Sequence, residues 1–222
     1  MVKVLELFSG GHSVGKICKE LGWEVVSLDM DGEADINIDI LIWNYKDMFK
    51  QGEFDYIHAS PPCHTFSNLR RSWIGRKLKK FGDTVITKEI LDADMINNGL
   101  PILRKTQEII KYFNPKYYTI ENPLGRMREY MVDEPVYIVD YCKYGDFGYR
   151  KRTCIWTNIE GFIPKKCDKD CNNMDGNKHK RRLGGHGDHF TRSERYRIPP
   201  TLIRELFNQM EFNNNSTVII EK

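Results

Sequence analysis

The sequence predicts an α/β fold, with a mostly parallel sheet and helices on both of its faces. Two observations lead to this prediction. Short apolar segments alternate with amphipathic ones along most of the chain, and glycine- or proline-rich turns follow the apolar segments. Such alternation builds βαβ units, whose helices return the chain to the same end of the sheet. Ligands of these sheets bind outside the carboxyl ends of the strands.

The predicted elements follow one another in regular order. We expect strands at 3–8, 24–28, 54–59, 117–120, 136–141 and 153–156, and helices at 13–21, 88–113 and 201–210. Pro101 lacks an amide donor, so we expect a break in the second helix there. Residues 158–195 are rich in Lys, Arg, Gly, Asn and His and predict a small irregular insert. The chain therefore divides into a core (1–157), this insert (158–195) and a C-terminal segment (196–222) that returns to the core.

Composition excludes several classes of protein. The chain has 222 residues, of which 40% are hydrophobic and 29% charged, which argues against wholesale disorder. Its apolar runs are too short to span a bilayer, and no signal peptide is visible. We therefore expect a soluble, intracellular protein that does not bind membranes. The six cysteines are scattered, so we expect reduced thiols, important only as nucleophiles or metal ligands.

The net charge of +3 conceals an asymmetry along the chain. Residues 1–60 contain 5 Lys and Arg against 11 Asp and Glu, whereas the remaining residues contain 29 against 20. An acidic first part and a basic remainder suit a polyanionic partner that approaches from one side.

The turn after the first strand admits two interpretations. Residues 10–16 match the phosphate-loop pattern G-x-x-x-x-G-K, but Ile17 follows and offers no hydroxyl group for magnesium. The alternative is a nucleoside site, because glycines let a ligand approach the backbone and Asp29 ends the second strand. An acidic residue at that position binds ribose hydroxyl groups in related folds.

Three further motifs follow predicted strands. Pro61-Pro62-Cys63 is a stiff turn that holds either an inert buried cysteine or a nucleophile. Enzymes that methylate exocyclic amines carry an aromatic residue at the position of Cys63, which argues against that chemistry. Glu121 and Asn122 end another strand, and alternation places Arg150 and Arg152 on one face of a later one.

These motifs resemble, in their order and placement, those of the C5-cytosine DNA methyltransferase family. The resemblance covers about residues 3–157 and 192–207, and is closest to the short members found in large viruses and phages. It implies a Rossmann-like class I methyltransferase fold in which the insert serves as a small target-recognition region. It also implies transfer of a methyl group from S-adenosylmethionine to C5 of a cytosine flipped out of the duplex.

The resemblance assigns roles to the catalytic motifs. Cys63 would be the thiolate that adds to C6 of cytosine, and Glu121 would engage N3 and the amino group of the base. Arg152, with Arg150 beside it, would hold O2 of the base or a phosphate oxygen. Asn122 would order the loop that contains Pro62.

The methyl donor is expected to meet the first turns of the sheet. Phe8 would stack on adenine, the backbone of Ser9, Gly10 and Gly11 would meet the methionine portion, and Asp29 would bind the ribose. Asp39 and Ile40 would flank the adenine, and Pro62 would close one side. This chain departs from the family pattern at His12, where a glycine is usual.

The expected partner is double-stranded DNA, bound by a monomer. A basic segment follows Cys63 at the place of the family's mobile loop, and the insert is also basic. Their cations suit phosphate contacts. The residues predicted to contact nucleic acid are Ser67, Arg70, Arg71, Arg76, Lys77, Lys180, Arg181 and Arg182.

No metal is expected to be required. Cys167, Cys171 and His179 offer zinc ligands, but their spacing is irregular and the pattern C-x₂-C is absent. Three alternatives to a DNA methyltransferase stay open from the sequence: a tRNA cytosine-5 methyltransferase, a P-loop-like NTPase, and a nucleic-acid-binding module without catalytic activity.

Overall fold

A computed structural model describes residues 1–181 and 190–212, so Arg182 lies outside the described residues. Its main sheet has seven strands in the order β3-β2-β1-β4-β5-β7-β6. The strands are β1 (Lys3–Leu7), β2 (Glu24–Asp29), β3 (Ile36–Asn37), β4 (Tyr56–Ala59), β5 (Tyr117–Pro123), β6 (Val136–Asp140) and β7 (Arg152–Thr157). β7 runs antiparallel to both of its neighbours, and the other pairs are parallel. The predicted fold class is confirmed.

Helices connect these strands. The α-helices are α1 (Ser13–Glu20), α2 (Tyr45–Met48), α3 (Lys88–Asp94), α4 (Leu100–Phe113), α5 (Arg192–Tyr196) and α6 (Pro200–Phe207). Short 3₁₀ turns occupy Asn68–Trp73, Lys79–Phe81, Arg126–Tyr130 and Tyr141–Lys143. Within the described ranges, no helix has the length and apolar character that crossing a membrane requires.

Two buried clusters cover the two faces of the sheet. Val4 and Tyr56 belong to one cluster together with the apolar residues of α1 and α6. Leu5 and Ile57, one position further along the same strands, belong to the other cluster together with α4. Because successive side chains of a strand point to opposite faces, this division shows helices on both sides.

The helical segment before β5 is continuous, so the break expected at Pro101 is wrong. α3 and α4 are joined by one π-helical turn, Met95–Gly99, and Pro101 lies in the first turn of α4. A proline removes an amide donor and crowds the preceding turn. The wider π turn absorbs this mismatch, so the chain stays helical.

The insert shares the core of the main unit. Ile159, Phe162 and Phe190 are buried in the cluster that contains α1 and α6. The insert also holds a short antiparallel hairpin, β8 (Met174–Asp175) and β9 (Lys178–His179). After it, α6 packs against α1. The insert is therefore anchored to the core at both of its ends.

The chain that follows β5 packs directly on the loop that follows β4. The amide of Arg126 donates a hydrogen bond to the carbonyl oxygen of Phe66 at 2.9 Å. Gly125 lies so close that a Cβ atom there would be 2.5 Å from the same oxygen. Phe66 is buried, so this part of the loop has little room to move.

We expect Gly125→Ala to destabilise the protein by about 1–3 kcal/mol, because the new methyl group collides with backbone rather than with a movable side chain. Thermal unfolding should show a Tm several degrees lower. Gly11→Ala is the matched control, since a Cβ there would meet only the Ser193 hydroxyl, at 3.9 Å. Equal Tm values for the Gly125→Ala variant and the unmodified chain would contradict this packing.

Candidate active site

The carboxyl ends of β1, β2, β4 and β5 meet at one edge of the sheet, because these strands are parallel neighbours. The register pairs Leu7 with Ala59 and Ala59 with Ile120. The antiparallel β7 begins at the same edge, with Arg152 opposite Asp140. The glycine loop, the Cys63 loop, Glu121 and the two arginines are therefore brought to one side of the molecule.

The loop after β1 bends sharply toward β2. Phe8 and Gly10 both have positive φ angles, 59° and 47°. The amide of Ser9 donates to the carbonyl oxygen of Leu28 at 3.1 Å, and the amide of Gly10 donates to Asp29 Oδ2 at 2.8 Å. A left-handed conformation at a phenylalanine is strained and is typical of functional turns. The turn places Asp29 beside the glycine backbone.

The phosphate-loop interpretation conflicts with Glu6. This buried carboxylate accepts hydrogen bonds from the amides of Val14 and Gly15, at 3.1 and 2.9 Å, through Oε1. A phosphate loop needs the amides at the start of its helix for the anion. Here Glu6 occupies them and would repel a phosphate group. His12 Nδ1 lies 3.5 Å from Glu6 Oε2, and this contact raises the pKa of His12.

The residues of this edge fit the methyl donor predicted for it. Ser9 Oγ is buried and has no hydrogen-bond partner among the described residues, so a bound ligand can supply one. Asp39 and Ile40 follow β3, the strand beside β2, and therefore lie along the same edge. Ile40 is buried, whereas Phe8 and Pro62 are half-buried. Apolar surface next to an acidic group and an unpaired hydroxyl suits a nucleoside.

The Cys63 loop is held by the end of β5. Asn122 Nδ2 donates to the carbonyl oxygen of Pro61 at 2.7 Å, and this bond is buried. At the start of the loop, His58 Nε2 lies 2.9 Å from Ser60 Oγ, and its Nδ1 lies 2.7 Å from Thr119 Oγ1. Burial lowers the pKa of His58. The loop is therefore connected to β5 before the two prolines, through His58, and at the first of them, through Asn122.

Glu121 is buried next to two groups that the sequence did not single out. Its Oε1 accepts a hydrogen bond from the Tyr141 hydroxyl at 2.8 Å and lies 3.7 Å from Lys151 Nζ. Lys151 also donates to the carbonyl oxygen of Arg195 at 3.1 Å. Both contacts of Glu121 use Oε1. A cation and a hydroxyl donor thus meet at one oxygen of Glu121.

The thiol of Cys63 lies within the electrostatic reach of Glu121. Burial raises the pKa of Cys63, the charge of Glu121 raises it further, and Lys151 opposes them in part. The residue is half-buried. The free protein therefore holds this thiol mainly in its protonated form at neutral pH.

Arg150 and Arg152 share one carboxylate. Arg150 Nη2 donates to Asp140 Oδ2 at 2.8 Å, and Arg152 Nε donates to Asp140 Oδ1 at 3.3 Å. Burial alone would raise the pKa of Asp140, but these bonds and charges hold it below its usual value. Asp140 is fully buried, whereas the arginine side chains remain 35% and 44% exposed. Both guanidinium groups keep donors for a ligand.

The basic segment after Cys63 divides into exposed and internal cations. Arg71, Arg76 and Lys77 are exposed. Arg70 is buried: it pairs with Asp94, donates to the carbonyl oxygen of Thr65 at 3.2 Å, and lies over the Trp73 and Phe81 rings. Its guanidinium group is not available to a phosphate, which corrects the expectation for Arg70. The physical reason is its partner Asp94, which α3 supplies from a distant part of the chain.

Ser67 begins the 3₁₀ turn of this segment, and its hydroxyl accepts a hydrogen bond from the Leu69 amide at 3.3 Å. In the insert, Lys180 is exposed. Arg181 is exposed too, but it pairs with Glu194 at 3.2 Å and stacks over the Phe190 ring. These residues lie in different parts of the chain. The local spacing of charges did not indicate which of them have internal partners.

Cys167, Cys171 and His179 lie together, and Cys142 joins them. One ligand atom from each of these four residues falls within 4.8 Å of the others. The sequence argued against a metal site because the spacing of these ligands is irregular and the pattern C-x₂-C is absent. Cys142, which lies far from the C-x₃-C pair, was not among the candidate ligands.

Four residues near the site had no assigned role in the sequence: Asp140, Tyr141, Cys142 and Lys151. A signal existed for Lys151, since the alternation that places Arg150 and Arg152 on one face directs Lys151 to the other. Asp140 and Tyr141 end a predicted strand at the functional edge. Their partners become visible only when the chain is folded.

The fold thus has a thiol and a carboxylate at the carboxyl edge of a mostly parallel sheet. No protein-family model matches the chain. A protein of Frog virus 3 (isolate Goorha), described as a probable DNA (cytosine-5)-methyltransferase, is 46% identical over 220 residues. This match covers 93% of the chain and 99% of the viral protein. The chain belongs to the DNA (cytosine-5)-methyltransferase family.

Solved structures show weaker likeness. A prophage-encoded E. coli protein assigned as a DNA modification methyltransferase gives a TM-score of 0.44 at 16% identity, and a mutant of Spodoptera frugiperda DNMT2 gives 0.42 at 19%. Each match covers 76% of the chain. The chain spans about half the length of these proteins, 52% and 54%.

We expect Glu121→Gln to accelerate alkylation of Cys63 while it suppresses methyl transfer. Removing the negative charge lowers the pKa of the thiol, so more thiolate is present at a given pH. The gain should be roughly threefold to tenfold at about pH 8. Lys151→Met should act in the opposite direction. The measurement is iodoacetamide labelling of Cys63, followed by peptide mass spectrometry across a pH series.

In every variant, labelling should rise with pH, with a midpoint above that of an ordinary thiol. Glu160→Gln provides the control, because this exposed glutamate follows β7 at the opposite edge of the sheet. An alkylation rate in Glu121→Gln equal to or below that of Glu160→Gln would show that Glu121 does not act on the thiol.

Proposed function

We propose that this protein transfers the methyl group of S-adenosylmethionine to C5 of cytosine in DNA through a covalent bond between Cys63 and C6. The observation that carries the proposal is the bond from Asn122 to Pro61, which holds the Cys63 loop against the strand that bears Glu121. This contact supports the proposal of a nucleophile and an acid that come from different strand ends. This arrangement supports covalent catalysis on a base.

The proposed role of Cys63 is to make C5 of cytosine, a weak nucleophile, more reactive. The thiolate adds to C6, the π electrons of the C5–C6 bond move toward C5, and C5 becomes nucleophilic. Glu121 engages N3 and the amino group, so that negative charge on the ring is neutralised as it develops. The bound donor supplies an electrophilic methyl group to C5. Loss of the C5 proton to a base and departure of the Cys63 thiolate then restore the aromatic ring.

Lys151 and Tyr141 support the acid. Both contact Oε1 of Glu121, which leaves Oε2 for the base. Lys151 also partly opposes the rise in the pKa of Cys63. When a base enters, the negative charge of Glu121 is compensated by its new contacts. The thiolate is then easier to form in the complex than in the free protein.

The donor is proposed to bind along the ends of β1, β2 and β3. Asp29 would bind the ribose, and the backbone at Ser9, Gly10 and Gly11 would meet the methionine portion. Phe8, Ile40 and Pro62 would enclose the adenine together with Asp39. The buried, unpaired Ser9 hydroxyl supports a polar ligand at this place.

The nucleic acid is proposed to be duplex DNA, bound by a monomer with the target base out of the stack. Arg71, Arg76 and Lys77 are exposed and follow the nucleophile loop, so they are suited to phosphate groups. Arg152, with Arg150 beside it on Asp140, would hold O2 of the base or a phosphate oxygen. Ser67 and Lys180 would extend this surface. Arg181 would join it once a phosphate group replaces Glu194 as its partner.

We expect Cys63→Ala to abolish methyl transfer, with a loss of at least about a thousandfold, because the substitution removes the nucleophile itself. The unmodified protein should form a stable adduct with duplex DNA that contains 5-fluorocytosine. A base can remove the proton from C5 of cytosine but cannot remove a fluorine atom there, so the covalent intermediate persists. The assay combines labelled S-adenosylmethionine with duplex DNA or with tRNA.

Retained binding of S-adenosylmethionine by Cys63→Ala serves as the folding control. Label transfer that survives the substitution would refute the covalent step. An adduct formed with tRNA and not with DNA would replace the proposed substrate by RNA.

We expect the double variant Arg76→Gln/Lys77→Gln to bind duplex DNA more weakly and with less salt dependence. Each lost phosphate contact reduces the slope of log K against log salt by about 0.9, so the slope should fall by about 1–2. Fluorescence anisotropy at several salt concentrations measures it. Lys111→Gln is the control, because this exposed lysine ends α4 at the opposite edge. A slope equal to that of Lys111→Gln would show that Arg76 and Lys77 do not contact DNA phosphates.

A further inference from the structure

Four metal-ligating side chains converge beside the catalytic edge, and the methyl-transfer chemistry uses none of them. Cys142 lies in the turn after β6, Cys167 and Cys171 lie in the loop after β7, and His179 ends β9. All three cysteines are free thiols. Three separate segments of the chain thus contribute to one cluster.

The spacing of the ligand atoms matches a tetrahedral centre. Cys167 Sγ and Cys171 Sγ lie 3.5 and 3.4 Å from His179 Nε2. Zinc bonds of about 2.3 Å to sulfur and about 2.0 Å to nitrogen predict sulfur–nitrogen edges of roughly 3.6 Å in a tetrahedron. One ligand atom from each of the four residues falls within 4.8 Å of the others. We propose that Cys142, Cys167, Cys171 and His179 bind one structural zinc ion.

The backbone around the cluster is arranged to hold these thiolates. Amide groups of Lys169 and Asp170 donate to Cys167, in a turn where Lys169 has a φ of 62°. The Cys167 amide donates to Asp140 Oδ2 at 2.8 Å. Asn173 is buried and its Nδ2 donates to the carbonyl oxygen of Cys142 at 2.8 Å. Bonds of this kind orient ligands before a metal arrives.

The ligand set favours zinc in a structural role. Three soft thiolates and one imidazole select zinc over the hard cations magnesium and calcium. All four coordination positions come from the protein, so none is left for a substrate or a water molecule. The zinc complex of three thiolates carries one negative charge. Lys143 and Arg150, whose interactions with cluster cysteines are attractive, offset it.

The small hairpin of the insert gives an independent reason for such a centre. β8 and β9 have two residues each. An isolated hairpin of this size is not stable in water. A metal bond at His179 would join the hairpin to the turn after β6 and hence to Asp140, which holds Arg150 and Arg152. The zinc ion would therefore fix Lys180 and Arg181 relative to the catalytic edge.

The test is the metal content of the full chain, expressed with zinc and purified without chelators. Mass spectrometry of metals should give about one zinc ion per chain. Replacement by cobalt should give the intense visible bands of tetrahedral thiolate coordination. Chelation under native conditions should expose three additional thiols to a thiol reagent and lower the Tm.

Cys142→Ser and His179→Asn should each reduce the zinc content at least about tenfold. His64→Asn is the matched control, because His64 is exposed and lies outside the cluster. It should keep the full metal content. If the variants fail to fold, the cobalt spectrum of the unmodified chain still identifies thiolate ligands.

Three results would overturn the proposal: a chain that binds no zinc after reconstitution, a disulfide bond within the cluster, or zinc retained in both ligand variants. None of these outcomes depends on methyl transfer. A chain that binds zinc but does not transfer methyl groups would contradict the proposed function alone. A chain that transfers methyl groups without binding zinc would contradict the zinc proposal alone.

Discussion

The hydrogen bond from Asn122 to the carbonyl oxygen of Pro61 is the contact on which the geometry of the site depends. It joins the end of β5 to the loop that carries Cys63, and the Arg126 amide supports the same loop at Phe66. Pro61 at the first of these points and Pro62 after it limit the backbone of the loop. Because Glu121 precedes Asn122 in the same strand, the contact that holds the Cys63 loop also influences the distance between this loop and Glu121.

A second buried group connects the catalytic edge with the insert. Asp140 accepts hydrogen bonds from Arg150, Arg152 and the Cys167 amide, and it is fully buried. A buried carboxylate without these donors would be costly. The orientation of the two arginines is therefore tied to the loop of the proposed metal centre.

Burial has opposite consequences for the charged groups of this molecule. It raises the pKa of the Cys63 thiol, the charge of Glu121 raises it further, and Lys151 opposes both in part. It keeps Arg70 internal, because Asp94 neutralises its charge. The charged partner is of like sign for the Cys63 thiolate and of opposite sign for Arg70, and in both cases it lies far away in the sequence.

The sequence by itself determined the sheet, the strand ends that bear the motifs, and the family resemblance, because these depend on local periodicity and on short spacings. It also placed Cys63, Glu121 and Asn122 at one edge, although their roles stay predictions. Tertiary structure decided what long-range partners control: the internal position of Arg70, the contacts of Lys151, and the addition of Cys142 to the cysteine–histidine cluster. Contacts between residues tens of positions apart leave no periodic trace in the chain, since they arise only when the strands are ordered side by side.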